Sequence, residues 1–295
     1  MSRLLVVRLS ALGDVIHTIP AVVALKERFE IGWAVEKPYG QLVELVAGVP
    51  AVPVSLKRWS AVPDARRAVQ RYDVSVDFQG LIKSSALAWA SGAKERWSFD
   101  GEAIREKPAL VFTNRRVAVD QTRHVIEWNL QLAQALHPGA AMPAVDFLPF
   151  ADPARHGRDI VLLPAAGRPE KQWPVERFRQ LAKRIGPRAI AVWGPGEEEL
   201  ARQIGCRMAP RTNLRELAAI LRDAEVVIGG DTGPLHLAAA LGTKVVGLYG
   251  PTNPRRNGPY GQLDRCISTF EGERKMEAIG VEEVVGLLET EPVSS

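Results

Sequence analysis

The chain has 295 residues, 46% of them hydrophobic, enough to bury two domain-sized cores. It contains no apolar run of about 18 residues, which argues against a membrane-spanning helix, and its two isolated cysteines, Cys206 and Cys266, give no disulfide framework or cysteine-based zinc site. A net charge of +4 and a pI of 9.2 suit an anionic partner without choosing among acidic lipid, phosphorylated sugar and nucleic acid.

The first apolar run, Leu4–Val7, is short and interrupted by Arg8 and Asp14, so it reads as a strand rather than a signal peptide. A helical pattern from Val15 to Phe29 follows, in which Pro20 predicts a kink or a second start. Strand-like Gly32–Val35 precedes helical Tyr39–Val46, and Val74–Phe78 precedes Lys83–Ala90. Asp120–Leu136 is amphipathic, with Val125, Trp128, Leu130, Leu132 and Leu136 largely along one face. Between His137 and Asp152 the periodicity lapses into Pro, Gly and Ala, which predicts a connection between domains 1–150 and 151–295. The alternation then restarts: Asp159–Leu163 with Val175–Ile185, Ala189–Trp193 with Glu197–Ile204, Val226–Gly229 with Leu235–Leu241, then strand Lys244–Leu248. A terminal helix, Glu282–Glu289, is a candidate to cross back to the first domain. Strands alternating with helices predict an α/β fold of two Rossmann-like doubly wound domains, with a cleft at the carboxyl ends of the strands.

Four strand-to-helix junctions carry residues suited to chemistry. Arg8 to Asp14 places a small, Gly-containing turn after the first strand, with Asp14 either a general base or a helix cap. Pro164 to Trp173 offers Arg168 and Lys171 as cations for a phosphate leaving group, or as solvated surface charges. Trp193 to Glu199 offers a carboxylate for ribose hydroxyls, or an acidic start to a helix. Gly229 to His236 gathers small residues and free amides at a helix start, suited to a pyrophosphate or to a tight capped turn. The chain lacks a GxxxxGK[ST] loop, a complete GxGxxG, an HExxH and a clustered Asp-x-Asp pair, so metal-independent handling of the leaving group is expected.

Taken together, RLSALGDVIHTIP from Arg8, DFQGLIKS from Asp77, KQWP from Lys171, DTGPLH from Asp231 and YGPTN from Tyr249 resemble the ADP-heptose:lipopolysaccharide heptosyltransferases, glycosyltransferase family nine, in order and spacing over nearly the whole chain. The branch it resembles most adds the first heptose to Kdo2-lipid A. The resemblance implies a GT-B fold with an acceptor-binding first domain and a nucleotide-sugar-binding second domain. It implies inversion, with Asp14 deprotonating the acceptor, Lys171 steadying the diphosphate and Glu197 holding the ribose. Ser10, Gly13, Ala166, Gly167, Asp231, Thr232, Gly233 and His236 would line the donor site, and Lys57, Arg58, Lys83, Arg105 and Arg123 would meet the acceptor. ADP-heptose and Kdo2-lipid A are the implied partners, with no cofactor and no metal. The implied location is cytoplasmic, peripheral on the inner membrane. Where family members often carry hydroxyl residues before the KxW lysine, this chain has Ala166 and Gly167, which leaves backbone amides as the donors there. Readings left open are another family-nine transferase, such as a heptosyltransferase II-like enzyme or one using a different nucleotide sugar, a sugar-nucleotide epimerase, and a binding module without turnover. A nucleic-acid partner is not expected, because no basic stripe is interleaved with aromatics.

Overall fold

The computed structural model describes residues 1–56, 62–153 and 158–289. The chain divides into two compact units, Met1–Phe150 and Ala151–Ser295.

The first unit holds β1 (Ser2–Val7), β2 (Phe29–Val35), β3 (Ala51–Pro53), β4 (Val74–Asp77), β5 (Glu95–Phe99) and β6 (Arg115–Val117). These pair in the order β3-β2-β1-β4-β5-β6, all parallel. Its helices are α1 (Leu12–Leu25), α2 (Gly40–Leu42), α3 (Val62–Ala68), α4 (Ile82–Ala90) and α5 (Val125–Leu136). The central strand β1 buries Leu4, Leu5, Val6 and Val7 completely, as a parallel strand covered on both faces must. α1 runs through Pro20 as one helix, although the ring removes an intrahelical donor. It stops at Leu25, so Phe29, expected in that helix, instead opens β2. α5 is tied to α1 by Asn129, whose Nδ2 donates to the His17 carbonyl at 2.9 Å.

The second unit holds β7 (Ile160–Leu163), β8 (Ala189–Ala191), β9 (Arg207–Met208), β10 (Val226–Gly230), β11 (Val245–Tyr249) and β12 (Cys266–Ser268), in the order β12-β11-β10-β7-β8-β9. Its helices are α6 (Val175–Ile185), α7 (Glu198–Arg202), α8 (Leu214–Asp223), α9 (Gly233–Ala240), α10 (Pro254–Asn257) and α11 (Val281–Glu289). α11 buries Val284 and Val285 in the core of this unit, together with Phe178 and Leu181 of α6. Counted from its own first strand, each sheet has the doubly wound order 3-2-1-4-5-6.

The stretch expected to be a loose connection is partly anchored. Phe147 and Phe150 are buried, and the 3₁₀ turn Leu148–Phe150 packs on the π-helical turn Val43–Ala47 of the first unit. Periodicity failed there because buried residues in a turn follow neither the helix nor the strand repeat. The edge strands β3, β6, β9 and β12, and the interior strand β5, also lie outside the predicted elements. All four edge strands have three residues or fewer, too short to show alternation. α8 was missed as well, though it carries a complete capping box: Asn213 accepts from the Glu216 amide, and Glu216 accepts from the Asn213 amide.

Candidate active site

In an open doubly wound sheet, the strand order reverses between its first and fourth strands, and ligands bind beyond the carboxyl ends there. In the first unit that point lies between β1 and β4, where Val7 is paired with Asp77. The loop after β1 delivers Arg8, and the first turn of α1 delivers Asp14. The Arg8 Nη2 lies 2.6 Å from Asp14 Oδ1, and Arg105 Nη2 lies 3.0 Å from Oδ2. Asp14 is the third residue of α1, and Ala11 holds the N-cap position, so the carboxylate is not the helix cap. Burial works to raise the Asp14 pKa, but the Arg8 and Arg105 guanidinium groups outweigh it and hold the carboxyl below the usual range. Arg8 itself is 4% exposed in its side chain; burial lowers its pKa and Asp14 opposes that shift.

The loop after β4 builds the floor under Arg8. Asp77 is fully buried and accepts from the amides of Gln79 and Gly80 at 2.8 and 3.1 Å. Its other oxygen accepts from the hydroxyls of Ser84 and Ser85 at the start of α4. Burial nonetheless pushes the Asp77 pKa up. So fixed, the loop turns the Phe78 carbonyl toward Arg8 Nη1 and the Gln79 side chain toward the Leu9 amide. The DFQGLIKS segment is thus the support of the Arg8–Asp14 pair.

In the second unit the reversal lies between β7 and β10. The KQWP segment after β7 is pinned by Trp173, which is 1% exposed, donates to the Ile279 carbonyl at 3.1 Å and stands edge-on to Phe178 at 4.9 Å. It lies against the end of β10 because Gly230 has no side chain: a Cβ there would stand 2.8 Å from the Lys171 carbonyl oxygen. That approach brings Lys171 Nζ within 2.6 Å of Asp231 Oδ2. Asn257 Nδ2 donates to the same oxygen at 2.9 Å, and His236 Nε2 meets Oδ1 at 3.1 Å. Burial works to raise the Asp231 pKa, but His236 and Lys171 outweigh it and hold the carboxyl far below its usual range. Thr232 is the N-cap of α9, yet its hydroxyl makes no capping bond and is buried without a hydrogen-bond partner. Gly233 is the first residue of that helix, whose free amides make its end attractive to anions.

The structure therefore joins Asp14 with Arg105, and Lys171 with Asp231 and His236. Ser10 and Gly13 share the turn and first helical turn that carry Asp14. Ala166 is half-buried and Gly167 exposed in the loop after β7. Glu197 turns one oxygen back to the Gly194 amide at 2.7 Å. Lys83 is exposed on α4, and Arg123 engages Asp120 and Glu127 of its own segment at 3.6 and 2.9 Å. Lys57 and Arg58 lie outside the described residues. Among the described residues, no group of three or more His, Cys, Asp or Glu is placed to hold a metal, and no helix is long and apolar enough to cross a membrane. Sequence reasoning gave no role to Arg8, Asp77 or Asn257. Arg8 and Asp77 open two of the quoted motifs, whereas Asn257, four residues beyond YGPTN, carried no local signal.

Two Rossmann-like domains with charged clusters at their switch points define a nucleotide-sugar enzyme of the GT-B fold, and the family model for glycosyltransferase family 9 (heptosyltransferase) matches residues 65–282. The chain belongs to that family. It is 32% identical to lipopolysaccharide heptosyltransferase 1 of Escherichia coli K12 over 292 residues, covering 88% of this chain and 91% of the relative. Its fold matches the solved structure of E. coli heptosyltransferase WaaC with ADP at a TM-score of 0.82 and 28% identity, over 97% of this chain and 99% of that one. The structure of the same enzyme with ADP-2-deoxy-2-fluoro heptose matches at a TM-score of 0.80 and 28% identity, with the same coverage.

Proposed function

We propose that this glycosyltransferase moves L-glycero-D-manno-heptose from ADP-heptose to Kdo2-lipid A, with inversion and without a metal, at the cytoplasmic face of the inner membrane. The observation that supports it most is the placement of two different charge clusters at the two switch points. One is a carboxylate between cations, the other a lysine held by a buried aspartate beside a helix N-terminus. The likeness to one enzyme solved with ADP and with a fluorinated ADP-heptose supports the donor.

In this reading the first unit receives the acceptor. Asp14 takes the proton of the attacking hydroxyl, the oxygen forms a bond to the anomeric carbon, and the bond from that carbon to the diphosphate breaks. A carboxylate between two cations is a weak base. Arg105 is the more exposed of the two, 45% against 4% for Arg8. When it turns to an acceptor phosphate or carboxylate, Asp14 loses one partner and gains basicity. Lys57, Arg58, Lys83 and Arg123 are assigned to the anionic groups of the acceptor, and Ser10 and Gly13 to the donor.

The second unit holds the donor. Lys171, positioned by Asp231, neutralises charge developing on the departing ADP, as fixed cations do at a leaving group. Thr232 donates its otherwise unpartnered hydroxyl, Gly233 and the amides of Ala166 and Gly167 face the phosphates, and Glu197 accepts from the ribose. His236 keeps Asp231 in place. The test is ADP release from ADP-heptose, with and without deacylated Kdo2-lipid A, in EDTA. Acceptor-dependent release is expected. Donor turnover without acceptor would favour an epimerase or hydrolase, and no release from this donor would overturn the assignment.

A further inference from the structure

We propose that the face of the first unit built from α4 and the 3₁₀ segment Lys107–Phe112 docks on an anionic bilayer surface, beside the acceptor-binding residues. The inference rests on the lipid-linked acceptor proposed above and names the surface that would meet its membrane.

Ile82 and Trp89 lie seven residues apart on α4, two helical turns along one face. They are 44% and 54% exposed, and Val111 of the 3₁₀ segment is 77% exposed. Trp89 and Phe112 bring their rings to 6.4 Å between centroids, which joins the helix stripe to the segment as one apolar patch. Single exposed apolar residues are ordinary, but a cluster containing tryptophan marks an interaction surface. Tryptophan suits the lipid headgroup layer, where one edge of its ring is apolar and the other hydrogen-bonds.

The charge around the patch selects the partner. Residues 82–116 contain seven cations (Lys83, Lys94, Arg96, Arg105, Lys107, Arg115 and Arg116) against four carboxylates, Glu95, Asp100, Glu102 and Glu106. Lys83, Lys107, Arg115 and Arg116 are exposed. The carboxylates are engaged within the same stretch of chain. Glu95 meets Arg115 at 3.3 Å, Glu102 meets Lys107 at 3.7 Å, and Glu106 accepts from the Ile82 amide at 2.7 Å. Asp100 accepts from the Glu102 and Ala103 amides at 3.1 Å. Arg96 and Arg116 donate to the Phe112 and Leu110 carbonyls of the segment. An excess of cations therefore stands beside the apolar patch and matches an anionic leaflet, where each cation near the surface adds attraction.

The location selects the purpose. Glu106, which ties the start of α4 to this segment, directly follows Arg105, the guanidinium that holds Asp14. An acceptor whose anionic sugars meet Arg105 therefore has its acyl chains next to the patch. Docking lets the enzyme glycosylate the lipid without lifting those chains out of the bilayer.

The test is sedimentation of the full chain with vesicles of phosphatidylglycerol and phosphatidylethanolamine, against phosphatidylcholine alone. The wild type should partition onto the anionic vesicles and be released by salt. Trp89→Ser with Val111→Ser should weaken partitioning by about tenfold or more, and Lys107→Glu with Arg116→Glu by a similar factor. Val111→Ser alone, at a residue three-quarters exposed, guards against a folding defect and should weaken partitioning in the same direction. All three variants should keep the wild-type kcat/KM on a deacylated, water-soluble acceptor and lose activity on acceptor embedded in vesicles. A wild type that stays in the supernatant, or a Trp89→Ser, Val111→Ser protein that sediments as the wild type does, overturns the proposal. So does a lipid-free dimer that these substitutions dissolve, since a second copy would then cover the patch. Patch-dependent sedimentation in an enzyme inert toward every Kdo2-lipid A acceptor would sustain the docking surface and remove the heptosyl-transfer reading.

Discussion

Asp231→Asn should cost both stability and turnover, and its effect should depend on Lys171. Asp231 and Lys171 are 7% and 20% exposed in their side chains and stand 2.6 Å apart, so water screens the pair poorly. The substitution keeps the shape but removes the charge, leaving a largely buried ammonium facing a neutral amide. Breaking a buried pair costs about 3–5 kcal/mol. The residual exposure of Lys171, and an amide oxygen that still accepts, bring the expectation to about 2–3 kcal/mol. For a unit of this size that is a fall of about 5–10 °C in its unfolding midpoint. Calorimetry on Asp231→Asn, Lys171→Met and the double variant gives the coupling: the double should be less destabilised than the sum of the singles by about 1 kcal/mol or more. The same variants in the ADP-release assay should lose about a hundredfold in kcat, the loss expected when a leaving-group cation is misplaced. Strict additivity in both readouts, or an Asp231→Asn midpoint within a degree of the wild type, would refute the view that Asp231 positions Lys171. The pH dependence has a defined sign. The Asp231 pKa is lowered on folding, so its contribution is fully present above the unfolded value of about 3.9 and is lost as pH falls below it toward the folded value. Asp231→Asn should therefore differ most from the wild type at neutral pH and converge with it in acid.

Asp14→Ala should lower kcat by about a thousandfold, the range of a lost general base, while leaving the ADP dissociation constant within about twofold by calorimetry. Arg105→Gln removes one of the two cations that lower the Asp14 pKa, so the acid limb of the kcat/KM profile should move to higher pH and the acceptor KM should rise. Gly230→Ala places a methyl group 2.8 Å from the Lys171 carbonyl oxygen, and the resulting shift should cost about 1–3 kcal/mol in thermal unfolding and weaken the donor KM. Gly167 has open space where a Cβ would stand, so Gly167→Ser should fold as the wild type does. Its added hydroxyl should lower the donor KM severalfold, which steady-state kinetics would measure.

The alternation of apolar runs with helical patterns was enough to place the central strands of both sheets and the helices α1, α4, α5, α6 and α9, because periodicity is set by neighbours in the chain. It also made the strand-to-helix turns visible, since a turn that must stay small shows as Gly, Ser, Thr and Asp. The edge strands escaped because two or three residues carry no period. What those turns do was decided only by tertiary structure. Asp14 and Arg105 are separated by 91 positions, and Lys171 and Asp231 by 60. A local reading leaves each of them a cap or a solvated charge. The sheet order puts the loop after β1 beside the loop after β4, and the loop after β7 beside the loop after β10. The Arg105 loop, which follows β5, is held on the loop after β4 by the Glu106 amide, which donates to the Gly80 carbonyl at 2.9 Å. The absence of a side chain at Gly230 and the burial of Trp173 then bring the lysine to its aspartate. Such contacts depend on which strands become neighbours, a property of the folded core as a whole, and it is there that an ordinary Asp and Lys acquire low exposure, fixed partners and, at Asp231, a strongly shifted ionisation.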